Sequence, residues 1–156
     1  MWTKRTVLTC FFVLAFMAAA GSATAQSHSV GVRGRISVDP DQVYLGAHVD
    51  LMEVSKRFWF RPNAELGLGS GVTVVALNGE FVYKLRAISK EWTPYLGGGP
   101  AFVVRSFRAG PNDRDTDVGP GFNFVGGIQQ PKGLLAEVKI GVLDSPDFKL
   151  GIGWTW

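Results

Sequence analysis

From Val30 to Trp156 the chain alternates apolar residues with small or polar ones, in eight runs separated by turn-forming segments. Alternation with period two puts one set of side chains on each face of a β-strand. The first run spans Val30 to Val38, with Val30, Val32, Gly34, Ile36 and Val38 on one face and Gly31, Arg33, Arg35 and Ser37 on the other. Asp39-Pro40-Asp41 ends it as a turn signal. The second run sets Val43, Leu45, Ala47, Val49 and Leu51 against Tyr44, Gly46, His48 and Asp50. Glu53 to Arg57 reads as a short polar connection. The third sets Phe58, Phe60, Pro62, Ala64, Leu66 and Leu68 against Trp59, Arg61, Asn63, Glu65 and Gly67, with Pro62 a local weakness in the ladder.

After Gly69-Ser70-Gly71, the fourth run carries Val75, Leu77, Phe81, Tyr83 and Leu85 opposite Asn78, Glu80 and Lys84. Ala87 to Glu91 is a second polar turn. The fifth run, Trp92 to Phe107, has Leu96, Phe102 and Val104 on its apolar face and Tyr95, Gly97, Gly99 and Arg105 on the other. Ser106 to Val118 reads as the longest and most polar connection. The sixth run sets Phe122, Phe124 and Ile128 against Asn123 and Gln129, and the seventh sets Leu134, Ala136, Val138, Ile140 and Val142 against Leu135, Glu137, Lys139 and Gly141. The eighth alternates Phe148, Leu150, Ile152, Trp154 and Trp156 with Lys149, Gly151, Gly153 and Thr155. Short turns between consecutive runs imply an up-and-down antiparallel order. Eight is the smallest common count for a closed outer-membrane barrel, and a tilted spanning strand needs about 9–11 residues.

The segment before the first run changes the picture. Lys4 and Arg5 precede an apolar run from Val7 to Ala20, and Ala23 and Ala25 have the small-x-small spacing of a secretory cleavage site. Residues 1–25 therefore read as a cleaved signal peptide and residues 26–156 as one domain. The single cysteine, Cys10, lies inside the signal segment, so the exported part carries no disulfide and no thiolate metal site. Without Lys4 and Arg5, 14 basic residues face 13 acidic ones. That balance offers no clustered basic face for nucleic acid.

Alternation alone fits a soluble barrel with an apolar core as well as a membrane barrel with an apolar wall. Three features favour the second. Aromatics (Phe58, Trp92, Phe148, Trp154, Trp156) sit near run ends, where interfacial girdles belong. The polar face mixes glycine with large charged residues, as a narrow lumen requires. The chain also has an export signal and no cysteine beyond it. The predicted fold is thus an all-β, eight-stranded antiparallel up-and-down transmembrane β-barrel after a cleaved signal peptide. Its lumen is expected to hold a structural polar network of Arg33, Arg35, His48, Asp50, Arg61, Glu65, Glu80, Lys84, Arg105, Glu137, Lys139 and Lys149. A barrel of this size is filled by its own side chains, so no open pore is expected.

Pro94-Tyr95-Leu96-Gly97-Gly98-Gly99-Pro100-Ala101-Phe102, the eight runs and the aromatic end together resemble the small bacterial outer-membrane β-barrel family of the OmpA/OmpX-like type. Lys149, Gly151, Trp154 and Trp156 resemble that family's assembly signal, although members most often end in Phe. The resemblance implies outer-membrane localisation and insertion by the barrel-assembly machinery. It also implies a monomer contacting outer-membrane lipid and lipopolysaccharide, with connections after odd-numbered strands outside the cell. The expected role is structural or surface-interacting, without enzymatic activity or cofactor. The alternative is a soluble exported barrel binding a small apolar ligand, as lipocalin-like folds do.

Candidate chemistry is sparse. Asp113-x-Asp115-x-Asp117 opens like a calcium loop, but Val118 stands where the loop needs Gly and Phe124 where it needs Glu. Gly97-Gly98-Gly99 has no following GK and no helix, so it reads as strand glycine rather than a phosphate cradle. His48 shares a face with Asp50, but no nucleophile accompanies them, and His28 lies in the N-terminal arm.

Overall fold

A computed structural model describes residues 28–38, 41–69, 71–108, 114–131, 133–143 and 148–156. The proposed signal peptide and its cleavage site, and Asp113 of the calcium-like spacing, lie outside these residues. The strands are β1 (Ser29–Val38), β2 (Asp41–Asp50), β3 (Met52–Ser55), β4 (Phe58–Gly69), β5 (Val72–Lys84), β6 (Thr93–Arg108), β7 (Arg114–Gln129), β8 (Leu134–Leu143) and β9 (Phe148–Thr155). All described pairings between them are antiparallel. β2 and β3 form one stave with a break at Leu51. They pair with the same neighbour, β4, and the Leu51 amide still donates to the Phe60 carbonyl at 3.0 Å. The nine segments therefore make eight staves. β1 pairs with β9 and β2 with β4, which closes the ring.

The register fixes the shape. Phe58 pairs with Tyr83, Tyr83 with Leu96, Leu96 with Gly126, Gly126 with Val138 and Val138 with Leu150. Leu150 pairs with Ile36, Ile36 with Val43, and Val43 with Leu68. One circuit thus returns to β4 at Leu68 instead of Phe58, a shear of ten residues. With eight staves this stagger tilts the strands by about 40° and sets a radius of about 8 Å. Each residue then climbs about 2.5 Å along the barrel axis. The outward apolar residues of β4, from Phe58 to Leu68, cover about 25 Å, the height of a membrane-barrel apolar band.

The faces follow the alternation. Val32, Leu45, Leu66, Leu77, Leu96, Phe102, Phe124, Ile140 and Ile152 are exposed on the outer wall, whereas Arg33, Arg61, Glu65, Glu80 and Lys139 are buried. This inside-out distribution opposes the soluble alternative, which needs its apolar residues in the core.

Two connections differ from the sequence reading. β6 and β7 continue through most of Ser106 to Val118, with Arg105 opposite Asp117, Ser106 opposite Thr116 and Phe107 opposite Asp115. Only 109–113 remains as the connection. The polar stretch is a strand hairpin standing above the apolar band, where no lipid imposes an apolar face. The longest connection is instead 85–92. Glu53 also belongs to a strand, β3, leaving Lys56 and Arg57 as a two-residue turn with Arg57 at φ 67°. Its Glu53 carboxylate accepts a hydrogen bond from the Arg57 amide at 2.8 Å.

Candidate functional site

The lumen is the candidate site, and it is stacked in tiers. Moving along β5 from its Lys84 end, inward residues run Lys84, Val82, Glu80, Asn78, Ala76, Val74 and Val72. On β6 the matching order is Tyr95, Gly97, Gly99, Ala101, Val103 and Arg105. Charges therefore occupy the end bearing Ser29 and Thr155 and the middle, and apolar residues the stretch above.

In the lowest tier Asp50 accepts from Arg61 at 2.5 and 3.2 Å and from Lys84 at 2.7 Å. Arg61 also donates to Gln129 at 2.8 Å and lies 4.9 Å from the Tyr95 ring centroid. Lys84 sits over the Trp59 ring at 4.7 Å, and its side chain is partly exposed. Above this, Glu137 accepts from Arg33 at 3.0 and 3.1 Å, from Arg35 Nε at 2.6 Å and from the Tyr95 hydroxyl at 2.7 Å.

Glu65 is the hub of the central tier. Arg35 pairs with it at 2.5 Å, Lys139 at 2.6 Å and Lys149 at 2.8 Å. Lys139 also pairs with Glu80, and Lys149 lies 4.1 Å from the Tyr44 ring centroid. A chain of amides crosses the same level. Asn123 donates to Asn78 at 2.8 Å, and Asn78 donates to Asn63 at 2.8 Å and to Glu65 at 3.2 Å. Above it Tyr44, Val74, Ala76, Ala101 and Val103 form a buried, mainly apolar collar on the β2, β5 and β6 side, and the Tyr44 hydroxyl meets Gln42, which is buried there with Ser37. Glycine admits the larger groups: a Cβ on Gly67 would stand 2.4 Å from the Tyr44 ring, and one on Gly31 would stand 2.2 Å from His48 Cε1.

The structure places the twelve charged or ionisable residues named from sequence on the inward face, but not all in one network. Arg105 stands at the mouth beyond the collar, partly exposed and 3.9 Å from the Asp117 carboxylate. Sequence reasoning did not name Tyr95, Asn63, Asn78, Asn123 or Gln129 as network members. All five lie on the polar face of their runs, so the signal was the same alternation applied to uncharged residues.

His48 has both ring nitrogens engaged. Arg33 Nε donates to Nδ1 at 3.1 Å, and Nε2 lies 3.4 Å from the Thr155 hydroxyl. With Nδ1 accepting, the imidazole is the Nε2–H tautomer, which donates to Thr155. It is 1% exposed, and the hydroxyl beside it, that of Thr155, is itself fully buried. Among the described residues no group of three His, Cys, Asp or Glu side chains could hold a metal ion. Asp115 and Asp117 are exposed on the β6–β7 hairpin.

Of the residues proposed as an assembly signal, Lys149 and Gly151 face the lumen and Trp154 and Trp156 face outward, 48% and 58% exposed. The Trp156 amide donates to the Val30 carbonyl at 2.8 Å across the β1–β9 seam. A cavity of about 250 Å³ opens at the far mouth, beside Gly69, Val72 and Phe107.

No family model matches the chain, and no curated protein does. Solved structures do. The N-terminal β-barrel domain of Pseudomonas aeruginosa OprF shares 12% identity with it over 83% of this chain and 96% of that one, with a TM-score of 0.57. Neisserial surface protein A (NspA) shares 12% identity over 83% of this chain and 94% of that one, with a TM-score of 0.56. The chain has the fold of a small eight-stranded outer-membrane β-barrel. In such a barrel, lipid covers the outer wall, and closure leaves no unpaired strand edge in the hydrocarbon. The lumen charges are then shielded by the barrel wall and by each other.

Proposed function

We propose that this is a non-conducting structural barrel of the outer membrane, without enzymatic activity, delivered by an export signal and inserted by the barrel-assembly machinery. The observation that carries the reading is the mainly apolar collar stacked on the Glu65 and Glu137 ion-pair tiers. An ion crossing the lumen would have to break paired charges and then pass the packed section of Tyr44, Val74, Ala76, Ala101 and Val103, where Ser37 and Gln42 are buried but uncharged. The Arg33 guanidinium on His48 Nδ1, where a general base would have a carboxylate to stabilise its protonated form, and the burial of the ring support the absence of acid–base chemistry there. The β6–β7 hairpin above the band supports a surface contact as the accessory role, with lipopolysaccharide or another cell-surface partner.

Two measurements test the proposal. Cell fractionation with gel mobility before and after boiling should recover the chain in the outer-membrane fraction with a heat-dependent shift. Recovery in the soluble periplasm would reject it. Reconstitution in planar bilayers should give no steady single-channel current. A conductance altered by substitution of Glu65 or Lys149 would overturn the non-conducting role while leaving the membrane barrel intact.

A further inference from the structure

One sector of the outer wall differs from the rest. On β4, β5 and β6 the outward positions Pro62, Gly79, Gly98 and Pro100 carry no side chain larger than a proline ring. Pro62 pairs with Gly79, and Gly98 pairs with Phe81. The β5–β6 register has no pairs between Asn78–Ala101 and Phe81–Gly98, where Pro100 lacks an amide proton. Aromatic clusters bound this strip on both sides. Phe81 lies 5.7 Å from Phe58 and 5.0 Å from Phe60, and Phe122 lies 5.1 Å from Phe124. A Cβ on Gly79 would meet the Phe60 ring at 3.6 Å, and one on Gly98 would stand 2.7 Å from the Asn123 carbonyl oxygen, with Phe124 at 3.4 Å and Phe122 at 3.5 Å. The result is a shallow apolar groove floored by backbone.

Below it, two neighbouring turns carry four cations. Lys56 and Arg57 occupy the β3–β4 turn, and Arg86 and Lys90 lie in the 85–92 connection between β5 and β6. The Lys84 amide donates to the Arg57 carbonyl at 2.8 Å and ties the two turns to each other. All four cations are exposed, and none forms an ion pair with another described residue. Glu53 and Glu91 share the sector, so four positive charges face two negative ones. Ile88, 73% exposed between Arg86 and Lys90, adds an apolar tip among cations, a combination that suits a lipid interface. Five residue steps from Arg57 to Pro62 climb about 12 Å, within the reach of an acyl chain whose phosphate sits at the turns.

The geometry points to a binding site for one anionic glycerophospholipid, with its phosphate held by Lys56, Arg57, Arg86 and Lys90 and an acyl chain laid along the Pro62–Gly79–Gly98 groove. The site rests on the membrane-barrel reading and deepens it. It lies at the end bearing Ser29 and Thr155, so the lipid comes from the leaflet at that end. A second copy of the chain docking here by twofold symmetry would set cations against cations, which favours lipid as the occupant.

The test uses the full chain refolded in zwitterionic micelles, with native mass spectrometry during titration by dioleoylphosphatidylglycerol or dioleoylphosphatidylcholine. The wild type should bind phosphatidylglycerol at least about fivefold more tightly, the factor expected from one Lys or Arg at an anionic surface. Raising the ammonium acetate concentration about tenfold should erase most of that preference without any mutation. Combined Lys56→Gln, Arg57→Gln, Arg86→Gln and Lys90→Gln should abolish it while leaving phosphatidylcholine binding unchanged. Gly79→Leu, which fills the groove at a position where a Cβ fits, should weaken both lipids and preserve their ratio. Equal affinities in the wild type, or a preference retained in the fourfold variant, overturn the site. A chain with no mobility shift on boiling would instead overturn the membrane-barrel reading beneath it.

Discussion

Replacing Glu65 by Gln removes one charge and almost no volume from the centre of the lumen. Its three cationic partners do not suffer equally. Arg35 keeps Glu137, and Lys139 keeps Glu80. Lys149 keeps only the Tyr44 ring face, 4.1 Å away, and it is 1% exposed. The cost should therefore concentrate on one uncompensated buried ammonium. Breaking a buried pair in this way costs about 3–5 kcal/mol. The double variant Glu65→Gln, Lys149→Met removes the stranded charge along with its partner and should recover more than half of that loss. Urea unfolding of protein reconstituted in vesicles, followed by tryptophan fluorescence, measures all four corners of the cycle. The reasoning fails if Glu65→Gln costs less than about 1 kcal/mol, or if Lys149→Met adds to the loss instead of relieving it.

Two further predictions concern the wall and the seam. Leu45, 63% exposed and near the middle of the apolar band, should cost about 2–4 kcal/mol when changed to Arg, read by the same unfolding assay. A change within about 0.5 kcal/mol would mean that water, not lipid, covers that face. Removing Trp156, whose amide bonds to Val30 across the seam, should lower outer-membrane levels more than any single change between Ser106 and Val118. Immunoblots of membrane fractions showing equal levels would refute that ranking.

The fold was legible because lipid and lumen impose opposite chemistries on successive residues. Where both constraints act, as from Val30 to Val38 or Leu134 to Val142, the alternation marks strand and face together. It fades above the band. Ser106, Arg108 and Thr116 stand where the outward face meets water, so the strands continue after the pattern has stopped. The same loss hid β3 behind Glu53 and Lys56.

The partners inside the lumen were harder to read than their direction. Arg33 and Glu137 are 104 residues apart, and Glu65 and Lys149 are 84 apart. Which charges meet depends on the ten-residue stagger, a property of the closed ring that no single strand reveals. The lipid-facing groove was equally hidden. Pro62 reads from sequence as a weakness in one strand, and only the register sets it beside Gly79.

The β1–β9 seam carries a kinetic consequence. Its pairs run from Ser37 with Lys149 to Gly31 with Thr155, all joining residues more than a hundred positions apart. The remaining ladders are hairpins between neighbours, apart from the β2–β4 pairing that bridges the short β3. Local hairpins zip cheaply, whereas ring closure carries the full loop entropy in one step. Until that step, β1 and β9 both present open edges and Glu137 lacks its two arginines, since Arg33 and Arg35 on β1 reach Glu137 on β8 only across β9. Closure of the sheet and neutralisation of the interior are thus one cooperative event, and a partly built barrel has no stable resting place in the hydrocarbon.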